Sequence, residues 1–274
     1  MKRKLALILI LCLSLGIFAV GCSSSEPGVQ APAGEDTSWE DIQAKGYFVV
    51  GLDDAFPPMG FREEGTNDII GFDIDLAKEA AKRLGVDVQF QPVVWDTVIE
   101  ELNGGKIDVI WNGLTITEER KEKIAFTDPY VEDKQIIVVQ KSSDIATKAD
   151  LADKVVGIQA GSSAMKAVQK DAATYESIGE FVEFGSNDEA LLDLATGRLD
   201  AVVVDEVVGR YYIAKKPDDY KVLEEHFGLE EFGVGLRKND TSFLAELQKV
   251  LDEMKADGTM TEVSNKWFGE DITK

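Results

Sequence analysis

Polar side chains follow four apolar, strand-like segments of this sequence, and their types suit recognition of a small zwitterion. They are Asp53, Asn112, Thr115, Gln159, Ser162, Ser163 and Asp205, and Gly113 contributes its backbone at the same place. A guanidinium such as that of Arg120 grips a carboxylate through two parallel hydrogen bonds, and a carboxylate such as that of Asp205 pairs with an ammonium. Backbone N–H groups at the helix starts near Thr115 and Ser163 would add donors. The set lacks a pair of titratable groups suited to acid–base catalysis, so it predicts binding without chemistry.

These polar residues also have purely structural interpretations. Arg120 lies in the charged run EERKEK, and such runs are usually solvated helix faces. Asp205 precedes a helix-like segment whose first N–H groups its carboxylate could cap. Thr115 and the two serines could simply shape turns.

Composition excludes several other classes of protein. Asp plus Glu number 51 against 29 Lys plus Arg, so the formal net charge is −22. Nucleic acid is therefore not expected as a partner, because its binding requires Lys and Arg at the phosphates. The sequence has one His and two Cys, which leaves little for a zinc framework or a Cys–His catalytic site. We expect no metal and no cofactor.

The N-terminus has the pattern of a bacterial export signal. Three basic residues precede Leu5 to Val20, an apolar run of sixteen residues. As a helix it would span about 24 Å, slightly short for a bilayer. Cys22 follows small residues and resembles the lipidated position of a bacterial lipobox, although Ala19 stands where Leu is usual. Cleavage would remove three positive charges and leave a net charge of −25.

This pattern predicts where the protein resides. We expect a signal peptide over residues 1–21, a lipid on Cys22, and a flexible tether over 22–38, which is rich in Ser, Pro, Gly and Ala. The remaining sequence contains no apolar run of transmembrane length. The folded body is therefore expected outside the cytoplasm, lipid-anchored at the cell membrane, either at a cell surface or in a periplasm.

From about residue 39 onwards, strand-like and helix-like segments alternate. The pattern predicts a strand at Tyr47–Leu52 and a helix at Asp73–Leu84 that Asp73 caps and Gly85 ends. A second helix is predicted from Trp95 to Leu102, and a strand at Ile136–Val139. Such alternation is typical of α/β folds with parallel sheets.

An internal repeat indicates two lobes of similar design. LNGGKIDVI (102–110) matches LATGRLDAV (194–202) at an offset of 92 residues. Each copy is the end of a helix, a glycine, a basic residue and a buried strand. Open α/β sheets bind ligands beyond the carboxyl ends of their strands, so two facing lobes would enclose a ligand in the cleft between them.

The chain resembles the extracytoplasmic solute-binding proteins of polar amino-acid ABC importers, the family-3 binding proteins. The likeness covers about residues 39–270. The matching stretches are GLDDAFPPMGF (51–61), GFDIDLAKEAAKRLG (71–85), LNGGKIDVIWNGLTITEERKEKIAFTDPY (102–130), VVGIQAGSSA (155–164), GRLDAVVVDE (197–206) and ADGTMTEVSNKWFG (256–269).

The resemblance implies the type II periplasmic binding protein fold, an α/β architecture of two Rossmann-like lobes joined by a two-segment hinge. Lobe 1 would comprise 39–134 plus 231–274, and lobe 2 would comprise 135–230. The ligand would lie in the cleft between the lobes, which close on it.

The resemblance also implies roles for individual residues. The ligand carboxylate would pair with Arg120, helped by Thr115 and the turn at Ser162 and Ser163. The ligand ammonium would pair with Asp205 and the carbonyl of Gly113. The side-chain end of the pocket would be lined by Asp53, Asn112 and Gln159 and flanked by Phe56 and Trp95, although these aromatics could instead belong to the core.

The expected ligand is L-arginine or another basic amino acid, followed by glutamine and cystine. Asp53 adds negative charge, and Phe56 and Trp95 could sandwich a guanidinium through cation–π contacts. The local sequences WNG at Asn112 and LDD at Asp53 also resemble those of arginine-binding members of the family. The expected partners are a free L-amino acid and an ABC permease with its ATPase subunit, and the protein is expected to be a monomer.

Two other functions are weighed against transport. Some relatives with this fold are cyclohexadienyl dehydratases acting on prephenate or arogenate, which need a general acid beside the leaving hydroxyl. Asp53 or Asp54 could serve, but the Arg120 and Asp205 pair favours binding, so we expect no enzyme. A sensor would need a signalling domain or a second hydrophobic span, and the sequence contains neither pattern.

Overall fold

The structure is a computed structural model that describes residues 36–274. The predicted signal peptide, Cys22 and the tether up to residue 35 lie outside the described residues. Residues 36–38, which the tether prediction includes, are packed: the Asp36 carboxylate accepts hydrogen bonds from Thr241 (2.6 Å) and from the Ser242 amide. Over the described residues, no helix is both long and apolar enough to cross a bilayer.

The described part contains ten α-helices. They are α1 (Ser38–Lys45), α2 (Phe72–Leu84), α3 (Val98–Asn103), α4 (Glu118–Lys123), α5 (Ala164–Lys170), α6 (Ala172–Ser177), α7 (Asn187–Ala195), α8 (Glu206–Lys215), α9 (Thr241–Ala256) and α10 (Thr259–Phe268). Strands or groups of strands separate them, except within the consecutive pairs α5–α6 and α9–α10. Short 3₁₀ turns lie at Trp95–Thr97 and Lys148–Leu151.

The strands form two five-stranded sheets and one small three-stranded sheet. They are β1 (Tyr47–Leu52), β2 (Ala55–Phe56), β3 (Gly60–Arg62), β4 (Ile69–Ile70), β5 (Asp87–Pro92), β6 (Val109–Ile110), β7 (Ala125–Phe126), β8 (Val131–Gln140), β9 (Val155–Gln159), β10 (Glu180–Phe184), β11 (Ala201–Asp205), β12 (Tyr220–Phe232) and β13 (Gly235–Leu236).

The two large sheets have matching strand orders. The first sheet runs β5-β1-β6-β13-β7, and the second runs β10-β9-β11-β8-β12. In each, the first three strands are parallel and the fourth is antiparallel to the third. Parallel sheets were expected throughout, so the antiparallel strands are a departure. The antiparallel strands are β8, which leads the chain into the second sheet, and β13, which leads it back to the first. They are antiparallel because each follows another strand with no crossover helix between them to reverse the chain direction.

The internal repeat is confirmed in the structure. The matched strands β6 and β11 both lie in the middle of their sheets, beside β1 and β9 respectively. The aspartates of the repeat make equivalent contacts: Asp108 accepts from the Val49 amide and Asp200 from the Val155 amide, each at 2.9 Å. The two sheets are thus built from the same helix–glycine–strand unit.

The chain passes between the two large sheets twice. It leaves the first sheet after β7 and enters β8, and it returns from β12 to β13. β8 and β12 pair side by side up to Val131 and Phe232, at the boundary between the sheets. The carboxyl ends of β1, β6, β9 and β11 carry the polar residues that the sequence analysis singled out.

Apolar layers cover the faces of the two large sheets. Phe48 and Val50 of β1 are buried with Phe72 and Leu76 of α2 and with Phe243 of α9. In the second sheet, the apolar layers are made with α5 and α7. This packing stabilises the sheets by removing apolar side chains from water and makes them firm supports for the polar strand ends.

The predicted capping of α2 by Asp73 is wrong. The helix begins at Phe72 after Gly71, and no side chain caps it. The Asp73 carboxylate is buried inside the first turn. It accepts hydrogen bonds from the amide of Gly113 and the hydroxyl of Tyr130.

Candidate ligand-binding site

The predicted site residues lie along one cleft between the ends of the two large sheets. The two sides are in direct contact: the Gln159 amide donates to the Asp53 carboxylate at 2.6 Å, and Arg120 donates to the Gly161 carbonyl at 3.0 Å. Thr115 and Ser163, whose hydroxyl oxygens are 3.1 Å apart, form a third contact across the cleft.

Arg120 is a buried cation on α4. Thr117 caps the helix by accepting from the Arg120 amide at 3.1 Å. The residue is only 9% exposed, and its guanidinium donates to the carbonyls of Thr115 (2.8 Å) and Gly161 (3.0 Å). Burial lowers the pKa of Arg120, and the carboxylates of Glu230 and Asp205 oppose that change. The solvated-helix interpretation of Arg120 is therefore wrong.

Asp205 ends β11 with its carboxylate fully inside the cleft. It accepts from the Gln135 amide at 2.9 Å and does not cap α8. Asp133 of β8 caps that helix instead, by accepting from the amides of Glu206 and Val207 at 3.2 Å each. Burial, together with repulsion from Glu230, raises the pKa of Asp205 to about 7. Burial and repulsion from Asp205 raise the pKa of Asp133 well above its usual range.

A hydrogen-bond network joins the hydroxyls of Thr115 and Ser163 to Glu230. The Glu230 Oε2 atom accepts from Thr115 (2.9 Å), Ser163 (2.8 Å) and the Gln135 amide (3.2 Å). Among the residues described, the backbone N–H groups of Thr115 and Ser163 have no recorded acceptor. They are therefore free to donate to a bound anion.

Gly113 is held in place by a buried Asp73–Tyr130 pair. The Asp73 carboxylate accepts from the Gly113 amide at 2.8 Å and from the Tyr130 hydroxyl at 2.9 Å. Burial raises the pKa of Asp73 to about 7. Gly113 has φ of +59°, and a Cβ there would lie 2.9 Å from the Phe56 ring, so only glycine allows this approach.

Asp53, Asn112 and Gln159 form the other end of the cleft. The Asn112 side-chain oxygen accepts from the Asp53 amide at 2.9 Å, so Asn112 positions the turn after β1. Gln159 accepts from Asn187 at 3.0 Å while donating to Asp53. Burial raises the pKa of Asp53 to about 6. This end presents one carboxylate framed by amides, which suits a cationic or hydrogen-bonding group.

Phe56 and Trp95 lie parallel to each other near this end. Their ring centroids are 6.4 Å apart at an interplanar angle of 12°. Near-parallel aromatic rings of this kind offer flat apolar surfaces on which a planar ligand group can stack. Both residues are buried.

A cavity of about 270 Å³ opens beside Arg120. Its lining includes Trp95, Asp96, Arg120, Gly161 and Ser163. In the part of the chain that the structure describes, Asp53 and Asp205 do not contribute to the lining, because they are packed against Gln159 and Gln135.

Ser162 differs from the other predicted site residues. Its hydroxyl donates to the Gln159 carbonyl at 2.8 Å and accepts from the Ala164 amide at 3.3 Å. The side chain thus shapes its own turn, whereas Ser163 contacts the cleft.

Sequence reasoning missed Gln135, Asp133, Asn187 and Glu230. Three of them lie on β8 and β12, the strands that pass between the sheets, and not after the carboxyl end of a parallel strand. The one indication in the sequence was the position of Glu230 at the predicted boundary between the lobes. A polar side chain at that boundary can contact both sides of the cleft.

Taken together, the cleft pairs one buried guanidinium with carboxylates, hydroxyls and free backbone donors. Over residues 36–274 there is no group of His, Cys, Asp and Glu arranged to hold a metal ion. The arrangement can bind a zwitterion: its carboxylate matches the Arg120 end and its ammonium matches the Asp205 end.

Comparisons with known proteins agree with this chemistry. The chain is 32% identical over 240 residues to the L-cystine-binding protein TcyJ of Escherichia coli (strain K12), with 85% of this chain and 86% of that protein covered. A histidine-bound ABC uptake transporter substrate-binding protein from Streptococcus pneumoniae matches at a TM-score of 0.84 and 36% identity, over 88% of this chain and all of the other.

An ancestral arginine-binding protein bound to arginine matches at a TM-score of 0.77 and 43% identity, covering 82% of this chain and 99% of that one. The model of the bacterial extracellular solute-binding proteins, family 3, matches residues 48–270. These proteins bind ligands and are not enzymes, and the two-lobed α/β fold expected for them is the fold described above. The chain belongs to the bacterial extracellular solute-binding proteins, family 3.

Proposed function

We propose that this protein captures a free polar L-amino acid, first of all L-arginine, and delivers it to the permease of an ABC importer. The observation that carries the proposal is the buried Arg120 guanidinium, which contacts both sides of a cleft that also holds Asp205. Burying a lone charge is costly, so a guanidinium that faces a cleft without a bidentate carboxylate partner is suited to a ligand carboxylate.

Each end of the amino acid has its own set of contacts in this proposal. Arg120 and the backbone N–H groups of Thr115 and Ser163 bind the carboxylate, while Ser162 shapes the turn that presents them. Asp205 and the Gly113 carbonyl bind the ammonium. Desolvated charge-assisted hydrogen bonds of this kind support a Kd in the micromolar range or tighter, or about −8 to −10 kcal/mol.

The preference for arginine rests on the far end of the cleft. Asp53 has a pKa of about 6, so it carries a negative charge at neutral pH and would attract a guanidinium. Gln159 and the turn held by Asn112 frame that carboxylate, and Phe56 and Trp95 would cover the planar group. Similar proteins are named for arginine, histidine and cystine, and one similar structure holds glutamine. Glutamine and cystine are the next candidates.

Transport would proceed by lobe closure. We assign residues 39–134 and 231–274 to lobe 1 and 135–230 to lobe 2, which is supported by the membership of the two sheets and by the crossings after β7 and β12. A ligand that contacts both lobes favours the closed form only by its extra affinity for that form. A monomer lipid-anchored through Cys22 would then present the loaded protein to the permease, whose ATPase subunit supplies the energy for release.

A thermal-shift screen against the twenty amino acids, ornithine, cystine and prephenate tests this function. At a ligand concentration of 100 times Kd, binding stabilises the native state by about 2.7 kcal/mol, which corresponds to roughly 5–10 °C in Tm for a domain of this size. We expect the largest shift with L-arginine and its loss in Arg120→Ala and Asp205→Asn.

Arg198→Ala and Asp193→Asn are matched controls for that screen. They make the same chemical changes in a surface ion pair remote from the cleft. A protein that none of the amino acids stabilises, or that loses the shift equally in the control variants, contradicts the proposal. A shift with glutamine or cystine alone would replace arginine as the ligand.

A further inference from the structure

Glu230 makes contacts in the cleft that the proposed binding roles leave unexplained. It lies near the end of β12, two residues before Phe232, and its side chain is half-buried. One carboxylate oxygen, Oε2, receives all three of its recorded hydrogen bonds, from Thr115, Ser163 and Gln135.

The three donors come from different parts of the cleft. Thr115 follows β6 of the first sheet, Ser163 follows β9 of the second sheet, and Gln135 belongs to the crossing strand β8. A single oxygen on the return strand therefore contacts both sides of the cleft and the neighbouring crossing strand.

The number of hydroxyl protons on Thr115 and Ser163 limits how these two groups can hydrogen-bond to Glu230. Thr115 and Ser163 have one hydroxyl proton each, and they share three contacts: one with each other at 3.1 Å and one each with Glu230. A carboxylate only accepts, so at least one of the two protons must go to Glu230. When both do, the hydroxyl oxygens present only lone pairs. The Ser163 oxygen already accepts from the Gln135 amide at 3.1 Å, so the Thr115 oxygen is the freer acceptor of the two.

We propose that Glu230 is a positioning residue that turns the hydroxyls of Thr115 and Ser163 into acceptors for the ammonium of a bound amino acid. The backbone N–H groups of the same two residues remain for the carboxylate, so one pair of residues serves both ends of the zwitterion. This inference rests on the proposed function.

The charges around Glu230 agree with this role. The charged groups that interact with it are Arg120 of α4, from the other side of the cleft, and Asp205 of β11 and Asp133 of β8, from its own sheet. The ligand ammonium would lie beside the carboxylates of Asp205 and Glu230, whose mutual repulsion it relieves. Gln135 donates to both carboxylates, and its own Oε1 is buried without a partner among the described residues, which leaves another acceptor nearby.

A double-mutant cycle on ligand affinity tests the inference. Calorimetric titrations with L-arginine would compare the wild type, Glu230→Gln, Thr115→Val and the double variant. If Glu230 acts through the Thr115 hydroxyl, Glu230→Gln weakens binding on the order of tenfold to a hundredfold in the wild type. The same change then weakens binding much less in the Thr115→Val background.

Glu231→Gln is the matched control, because it removes the same charge from the adjacent residue, whose carboxylate pairs with Lys274 at the surface. Its affinity should equal that of the wild type. The ligand-free Tm of each variant separates misfolding from lost recognition, and Thr115→Val tests the hydroxyl alone should Glu230→Gln fail to fold.

Three results would overturn the inference. The first is tighter binding of L-arginine by Glu230→Gln, which would make Glu230 a competitor of the ligand carboxylate. The second is an unchanged affinity of Glu230→Gln. The third is full additivity of the effects of Glu230→Gln and Thr115→Val on affinity. The proposed function fails separately: it fails if the wild type itself binds neither L-arginine nor histidine, glutamine or cystine.

Discussion

At the scale of single residues, the cleft holds more negative than positive groups around one guanidinium. Asp205 and Glu230 repel each other, and burial and this repulsion raise the pKa of Asp205 to about 7. In the proposed binding mode, a zwitterion supplies an ammonium to this side and a carboxylate to Arg120. Binding therefore favours the ionised form of Asp205 and lowers its pKa in the complex.

This electrostatic balance predicts that the stability of the ligand-free protein and the affinity for the ligand change in opposite directions with pH. In the ligand-free protein, Asp205 holds its proton up to about pH 7, whereas an unfolded Asp releases it near 3.9. The native state therefore binds more protons between these values, and its stability falls as pH rises from about 4 to 7. Ligand affinity instead rises over pH 5–7, by up to tenfold per unit for each proton released, because the ligand ammonium pairs with ionised Asp205 and the guanidinium with ionised Asp53.

Thermal shifts at pH 5, 6, 7 and 8 measure both trends with the same samples. We expect the ligand-free Tm to fall and the ligand-induced shift to grow with pH. Titration calorimetry in two buffers of different ionisation enthalpy should detect proton release on binding. Proton uptake, or a ligand shift that is constant over this range, would contradict the assigned role of Asp205.

The residues on parallel strand ends could be predicted from the sequence, and those on the crossing strands could not. Arg120, Thr115, Ser163 and Asp205 follow motifs whose position in an α/β fold is known, and the structure brings them to one cleft. Glu230 sits in the run GLEEF, which has the charge pattern of an exposed strand. Only the tertiary path of β12 turns that side chain inward.

At the scale of elements, the turn after β9 packs directly on the 3₁₀ turn at Trp95–Thr97. A Cβ added to Gly161 would lie 2.6 Å from the Cα atom of Asp96, and Gly161 has φ of +71°. Its carbonyl accepts from Arg120. Gly161 is therefore a point of close backbone approach between the two sides, next to the guanidinium.

We expect Gly161→Ala to weaken ligand binding by at least about tenfold, because the added methyl holds the two turns apart and displaces the carbonyl from Arg120. The left-handed backbone adds a stability cost of about 1 kcal/mol. Titration calorimetry and ligand-free melting measure these effects separately.

Gly46→Ala is the control for backbone strain. Gly46 has φ of +80°, and a Cβ there would meet nothing within 4 Å. It should lower the ligand-free Tm by a similar amount and leave affinity unchanged. Equal affinities of the two variants would show that the close approach at Asp96 plays no part in binding.

Among the elements, the helices and the parallel strands were predictable, because their periodicity and glycine stops are local signals. The helix predicted from Trp95 to Leu102 is divided into a 3₁₀ turn and α3, Val98–Asn103. The antiparallel placement of β8 and β12 was not predictable from local pattern. A strand that joins two sheets has the same alternation as one that follows a crossover helix.

At the scale of the whole molecule, two sheets of matching strand order face each other across a cleft and are joined by two antiparallel crossings. The 92-residue repeat predicted this duplication, since equivalent units place equivalent strand ends at the cleft. We propose that this cleft recognises both charged ends of a free amino acid at once.

Titration calorimetry of the wild-type protein with L-arginine and two truncated analogues tests that claim most directly. Agmatine lacks the carboxylate and 5-guanidinopentanoic acid lacks the ammonium, while both keep the guanidinium. We predict one arginine site per chain with a Kd in the micromolar range or tighter, and a loss of at least about a hundredfold for each analogue, since each leaves buried charges unpaired. Binding of either analogue as tightly as L-arginine would contradict recognition of both charged ends.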